Sequence, residues 1–456
     1  MVPSGNPSNK IVALPVSQLP AKGSILIGLS GGVDSVVLLH YLCQNAARYA
    51  WRLSALHVHH GISQNADSWA DFCTELCVQY QIPLHIEYVD IAPLREHGTE
   101  AAARKLRLAA FAGQSCDFVA LAHHVDDQVE TLLLQLLRGA GVRGAAAMPQ
   151  LSDRTDSIPV VRPLLTCSRQ EILNYAAEHG LRWINDESNV DDNYPRNFLR
   201  HRILPLLSEK FPTYRETLAR SAQHFAEASV LLDDLARLDA PDLFPDQSRE
   251  GEDSELRLEV SRLKSLSLLR AKNLLRFYLH AQGAPIPQTS QLHDMLRQLC
   301  GARNDASVCI AYGSGWQVRR YRDEVFVLRA LNKFERNLVF SWSGEAELAW
   351  PALDSILHFK SAKKNQGASI SLEKLQCGQV TLRLRSGGET LRPNPKAAKR
   401  TLKNLLQEQH VPPWQRERLP LLYCGDDLVC VPNVAIAAEY QADSQEAAIF
   451  LQVGGP

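Results

Sequence analysis

The stretch Ile25-Leu26-Ile27-Gly28-Leu29-Ser30-Gly31-Gly32-Val33-Asp34-Ser35-Val36-Val37-Leu38-Leu39 decides the fold. Ile25 to Leu29 is a short apolar run that reads as a buried strand. Two adjacent glycines follow, and Val36 to Leu42 continues with helical character. Glycines let a backbone turn tightly and approach phosphate oxygens closely. The next helix offers an anion its unpaired N–H groups and a partial positive charge, and Ser30 and Ser35 add hydroxyl donors. A Walker A loop would carry a lysine here, and this loop has none. It carries Asp34. An acid inside an anion site needs a cation to shield it, so Asp34 is a candidate Mg²⁺ ligand beside a triphosphate. Ser-Gly-Gly alone would pass for an ordinary strand–helix turn. The full Ser30-Gly31-Gly32-Val33-Asp34-Ser35 string in a strand–loop–helix setting reads as a nucleotide-binding loop.

Outward from this loop, strands and helices alternate. Strands are expected at Leu53–His59, Leu84–Val89 and Phe118–Ala122, and helices at Ala66–Tyr80, Glu100–Ala112 and Val125–Leu137. The alternation predicts an α/β domain with a parallel, doubly wound sheet and helices on both faces. Ligands of such sheets lie beyond the carboxyl ends of the strands. Helical patterns follow at Ser168–His179, Asn197–Leu207 and Ser221–Asp239. Ala240 to Asp253 is rich in Asp, Glu, Pro and Ser and reads as a linker. Leu263–His280 reads as one basic amphipathic helix, with strands at Val308–Tyr312, Trp316–Tyr321 and Glu324–Leu328. The expected domains are therefore residues 1–220, a helical linker over 221–250, a small mixed domain over 251–335, and a strand-rich unit over 366–456.

A chain of 456 residues exceeds one ordinary core. No run of 18 apolar residues occurs, so no membrane span is expected. Met1 to Lys10 lacks the basic flank and apolar run of a signal peptide, which makes the cytoplasm the expected address. The ten cysteines form no Cys-x-x-Cys pair and no zinc-like spacing, and reduced, mostly buried thiols are expected. The net charge is −1, so any nucleic-acid contact must come from local charge.

A second cluster, His123-His124-Val125-Asp126-Asp127-Gln128-Val129-Glu130-Thr131, follows a strand and opens a helix. Asp126 and Glu130 share a helix face, as do Asp127 and Thr131. Carboxylates at this end of the sheet can bind a metal, or hold and deprotonate an amine.

The phosphate loop resembles the PP-loop of N-type ATP pyrophosphatases, which implies ATP cleavage between the α and β phosphates. The chain as a whole resembles the tRNA(Ile)-lysidine synthetases. The resemblance is carried by the His123–Thr131 string, by Arg138-Gly-Ala-Gly-Val-Arg-Gly144, and by Glu100-Ala-Ala-Ala-Arg104-Lys-Leu-Arg107, where Leu108 replaces an expected aromatic residue. Arg162-Pro-Leu-Leu165, Asp186–Asp191, Tyr194–Arg200 and the tail from Leu402 to Leu421 carry it further. It implies joining of L-lysine to C2 of the wobble cytidine of a CAU-anticodon isoleucine tRNA. The base would first be adenylylated by ATP, with Mg²⁺ present. Carried over, Ser30 to Ser35 bind ATP and Asp34 its Mg²⁺. Arg104 and Arg107 steady phosphate charge. Asp127 and Glu130 hold and deprotonate the lysine amine beside Asp126. Asp34, Arg104, Asp127 and Glu130 are thus the expected catalytic residues. Arg104 and Arg107 read equally well as surface partners of Glu100. Arg196 and Arg200 either reach RNA phosphate or ATP, or pair with Asp186, Asp191 or Asp192.

From Arg383 to Lys403 seven cations face one acid. Arg392, Lys396, Arg400 and Lys403 are the expected tRNA contacts there, with Trp414, Arg416 and Arg418 close behind. The mixed domain is expected to touch tRNA as well. Two other readings stand beside this one: another PP-loop tRNA-modifying or amide-forming synthetase, and a catalytically inactive RNA-binding relative. The sequence does not fix the oligomeric state, and a homodimer stays open.

Overall fold

The computed structural model describes residues 22–61, 63–91, 99–154, 157–185, 191–243, 257–303, 306–313, 315–330, 333–335, 337–353, 355–361, 369–396, 398–443 and 446–454. The chain divides into two compact units, Met1–Leu235 and Ala236–Pro456.

The first unit runs β1 (Ser24–Gly28), α1 (Val33–Tyr49), β2 (Arg52–His59), α2 (Ala66–Gln79), β3 (Leu84–Tyr88), α3 (Thr99–Ala112), β4 (Phe118–Ala120) and α4 (Val125–Leu137). It continues with α5 (Val142–Ala145), β5 (Leu151–Arg154), β6 (Ser157–Val161), α6 (Arg169–Glu178), α7 (Pro195–Phe198), α8 (Leu204–Lys210) and α9 (Tyr214–Asp239). The sheet order is β3-β2-β1-β4-β6-β5. The first five strands in that order are parallel, as expected, and β5 adds an antiparallel edge to β6. Side chains alternate across β1. Ile25 and Ile27 join α1 and α6 in one core, while Leu26 packs with Leu56, Val119 and Phe111 on the other face. A sheet covered on both sides needs such continuous apolar strands.

The second unit contains a sheet of order β7-β10-β9-β8, built from β7 (Leu258–Glu259), β8 (Val308–Tyr312), β9 (Trp316–Tyr321) and β10 (Glu324–Arg329). It packs on α10 (Val260–Ser265), α11 (Leu268–Ala281) and α12 (Thr289–Gly301) through Leu274, Tyr278, Met295 and Val318. The single helix expected over Leu263–His280 is two helices. Leu266 is extended (φ −90°, ψ 156°), and Ser267, at the N-cap position of the second, is extended too, so the Ser-Leu-Ser step breaks the run. Three further sheets follow, of five, four and two strands. Strands at Val339–Ser341, Glu347–Trp350 and Ser355–Ser361 pair into the larger two, so the C-terminal sheets draw on chain upstream of residue 366. The helix α9 is continuous through the boundary expected at 220, and residues 244–253 of the expected linker lie outside the described residues. All ten cysteines are free thiols; five are buried, while Cys309 and Cys377 are exposed.

Candidate active site

Each cluster stands where a parallel strand ends. β1 runs into Leu29–Gly32, β2 into His59 and His60, β4 into His123 and His124, and β6 into Arg162. Gly31 has φ +83°, and a Cβ there would lie 2.4 Å from Ile184 Cδ1. The position therefore tolerates only glycine, and Gly31 O accepts a bond from Ile184 N at 3.0 Å. Gly32 enters α1 in extended conformation with no side-chain cap, which leaves the helix N-terminus available to an anion. Ser35 Oγ donates to Gly32 O at 2.9 Å and accepts from Ser30 N at 3.2 Å. These features fit a nucleotide triphosphate. Asp34, in the first turn of α1, fits a Mg²⁺ that takes its other ligands from phosphate and water.

The acids of this site are balanced one by one. Arg169 Nη1 reaches both Asp34 oxygens, at 3.2 and 3.0 Å. Arg215 Nε donates to Asp126, whose other oxygen accepts from the Arg169 amide at 3.2 Å. Arg200 donates to Glu130 through Nε at 2.7 Å and Nη2 at 2.9 Å. Asp127 accepts from the His124 amide at 3.1 Å and closes a capping box on α4. Arg196 Nη2 donates to Thr131 Oγ1 at 3.0 Å. Asp192 takes His201 and Arg202 as partners, so Arg200 turns inward to Glu130. Asp186 lies outside the described residues, as does the side chain of Glu100, the alternative partner of Arg104 and Arg107.

His124 is the hub. Its buried ring places Nε2 3.5 Å from Asp127 and 3.8 Å from Asp34, and Nδ1 3.6 Å from Asp126. Burial pushes its pKa down, but the three carboxylates outweigh burial and raise it above the ordinary imidazole value. Burial also opposes ionisation of Asp126, yet His124, Arg215 and the Arg169 amide hold that carboxyl far below the usual range. Asp127 is lowered too: His124 and His123 overcome its burial. Glu130 goes the other way. Full burial raises it, and Arg200 offsets that only in part. Two carboxyls one helical turn apart are thus pushed in opposite directions.

Arg200 stands in a π-helical turn, Leu199–Ile203, closed by the Leu204 amide on Leu199 O. Beside it, a cavity of about 790 Å³ is bounded by Asp126, Glu130, Arg169, Arg200 and Arg215 among others. Arg169 and Arg215 escaped the sequence reading. Their signal was weak, each being an arginine in the first turn of a helix, 135 and 89 residues from its partner.

In the second unit the basic stretch is less bare than its sequence. Arg385 pairs with Glu389, Arg392 with Glu439 and Arg400 with Glu408, while Lys396, Lys399 and Lys403 are exposed. Trp414, Arg416 and Arg418 all have partners within their own unit. Trp414 meets Phe326 and Arg319. Arg416 donates to Tyr321 Oη at 2.6 Å. The buried Arg418 donates to Ala352 O at 2.7 Å.

The sheet order, the loop and the helix N-terminus define a PP-loop nucleotide-binding enzyme, and a model of the PP-loop domain matches residues 8–207. Models of the TilS substrate binding domain and the TilS substrate C-terminal domain match residues 258–326 and 380–453. The chain is 42% identical to a tRNA(Ile)-lysidine synthase of Nitrosomonas europaea, over 91% of this chain and 89% of that one. It is 35% identical to one from Coxiella burnetii (94% and 93% covered) and 37% identical to one from Escherichia coli O157:H7 (95% and 97% covered). The chain belongs to the tRNA(Ile)-lysidine synthase family, ligases that form a carbon–nitrogen bond.

Proposed function

We propose that this chain joins L-lysine to C2 of the wobble cytidine of a CAU-anticodon isoleucine tRNA, with ATP cleaved to AMP and pyrophosphate. One observation carries the reading. Asp34 of the phosphate loop and Asp127 of the strand-end cluster lie within 4 Å of the same imidazole, His124, so nucleotide chemistry and amine chemistry share one site.

ATP binds at Ser30 to Ser35, with Arg104 steadying phosphate charge. A Mg²⁺ held at Asp34 would neutralise phosphate oxygens. The O2 atom of the cytidine attacks the α phosphorus and pyrophosphate leaves. The ε-amine then forms the C2–N bond as the C2–O bond breaks and AMP departs. Asp127, with its lowered pKa, holds the incoming ammonium. Glu130, with its raised pKa, is the better proton acceptor. Arg196 and Arg200 line the same end of the sheet. Residues 251–335 and 366–456 contact tRNA, and the match of the two TilS substrate models to 258–326 and 380–453 supports that division.

The test supplies [α-³²P]ATP, labelled lysine and the CAU tRNA. Lysine-dependent AMP release with label entering RNA is expected. A folded protein that incorporates no lysine would overturn the reading in favour of another PP-loop synthetase or an inactive relative.

A further inference from the structure

Arg162 follows β6 directly and has no role in the chemistry above. Only 8% of it is exposed. Its Nη1 donates to Pro149 O at 2.7 Å, which fixes the plane of the guanidinium. Its Nε is buried with no hydrogen-bond partner, and no carboxylate pairs with the group among the described residues. A buried, uncompensated cation is costly, and an apolar side chain would have filled this wall at lower cost.

The surroundings add positive charge. β6 lies beside β4, with Ala120 opposite Val161, and Leu121 N bonds Val161 O at 2.9 Å. Arg162 therefore stands next to the turn that carries His123. The His123 ring feels Arg162, Arg196 and Arg104 against one acid, Asp127, which already answers to His124 and Arg200. Burial first, and then these arginines, push His123 down to about 4, so the ring is neutral at pH 7. Its Nδ1 is also buried and unpartnered. Two unpartnered nitrogens, one of a ring and one of a guanidinium, and an excess of positive charge around them lie two strands or fewer from the phosphate loop. At about 4.8 Å per strand that spans about 10 Å.

We propose that Arg162, supported by the charges of Arg104 and Arg196 and by the unpartnered Nδ1 of the buried His123 ring, forms a phosphate-oxyanion subsite at the ends of β4 and β6. The Nε edge of a guanidinium donates side-on to phosphate oxygens. The phosphate comes either from the nucleotide or from the tRNA backbone next to the target base. The subsite deepens the functional reading above, but it is tested by binding alone.

The experiment compares wild type with Arg162→Met and Arg162→Lys. It measures thermal melting and equilibrium affinity for inorganic pyrophosphate, for a non-hydrolysable ATP analogue with Mg²⁺, and for the CAU tRNA across salt concentrations. Arg162→Met is expected to melt at or above the wild-type temperature, because a buried charge is gone, while phosphate binding weakens tenfold or more. Loss confined to pyrophosphate and the ATP analogue assigns the nucleotide as the source. Loss confined to tRNA, with a salt slope smaller by about 0.7–0.9, assigns the RNA backbone. If the Met variant fails to fold, Arg162→Lys decides: it keeps the charge and loses the side-on edge, and a similar loss of affinity is expected. Affinities within twofold of wild type in a folded variant overturn the proposal. If wild type incorporates no lysine but Arg162 still governs pyrophosphate binding, the subsite stands and the substrate reading falls.

Discussion

Arg200 grips Glu130 by two contacts, Nε at 2.7 Å and Nη2 at 2.9 Å, and the Glu130 side chain is wholly buried. Removing the cation strands a carboxylate out of water. Breaking a buried pair costs about 3–5 kcal/mol. The Arg200 side chain is a third exposed, which trims the expectation for Arg200→Met to about 2 kcal/mol. The double variant Arg200→Met with Glu130→Met should recover most of that loss, since neither charge is left alone. Urea unfolding checks both. Equal losses in single and double variants would mean that the pair does not set the stability.

Asp34→Ala should abolish AMP formation, with activity at least a hundredfold down, while tRNA affinity stays within about twofold. Its carboxylate touches Arg169 and lies near His124, both within the catalytic unit. A large fall in tRNA affinity would show that Asp34 serves RNA binding instead.

Gly31→Ala should raise the KM for ATP at least tenfold. The new Cβ would strike Ile184, and the φ of +83° is strained for any side chain. Adding Ile184→Ala relieves the clash and leaves the strained φ, so it should restore activity only in part. Full rescue would point to the clash alone.

Acidification should destabilise the first unit. His40 is buried between α1 and α6, with Nδ1 2.9 Å from Tyr175 Oη. Burial, and then His179, lower its pKa below 6.5. As the pH falls through about 6.5 the unfolded chain binds the proton first, so stability present above that pH is lost below it. Burial lowers His57 as well, with the same sign. The melting temperature of His40→Gln should fall less than that of wild type between pH 7.5 and 5.5. Parallel curves would exclude His40 as a contributor.

The basic stretch makes a graded prediction. Exposed Lys396 and Lys403 should each lower the salt slope of tRNA binding by about 0.7–0.9 when changed to Ala. Arg392 and Arg400 hold Glu439 and Glu408, so changing them should alter the slope less. An unchanged slope in the combined Arg392, Lys396 and Arg400 variant would make the stretch a solvated surface.

What the sequence showed depended on distance along the chain. The β1–loop–α1 unit and the His123–Thr131 cluster were legible because strand, turn and helix signals are local. The β5–β6 hairpin was not, because its two short strands lack a regular alternation. The break at Leu266 and Ser267 was hidden under a continuous apolar period. Arg169 and Arg215 balance Asp34 and Asp126 across 135 and 89 residues, and no local pattern announces such a pairing. Arg416 and Arg418 looked like RNA contacts by residue type. Their hydrogen bonds to Tyr321 and Ala352, 95 and 66 residues away, are pairings that residue type alone does not announce.

The π-helical turn at Leu199–Ile203 makes the site depend on spelling as well as on vocabulary. One residue dropped from that turn, such as His201, would tighten it to an ordinary α-helix. Everything on one side would then rotate by roughly 100° relative to the other. Arg196 and Arg200, before the gap, would keep their phase with each other, while α8 and the chain that leads on to Arg215 would turn relative to them. A relative could thus keep every charged group of this centre and still lose it through a single missing codon.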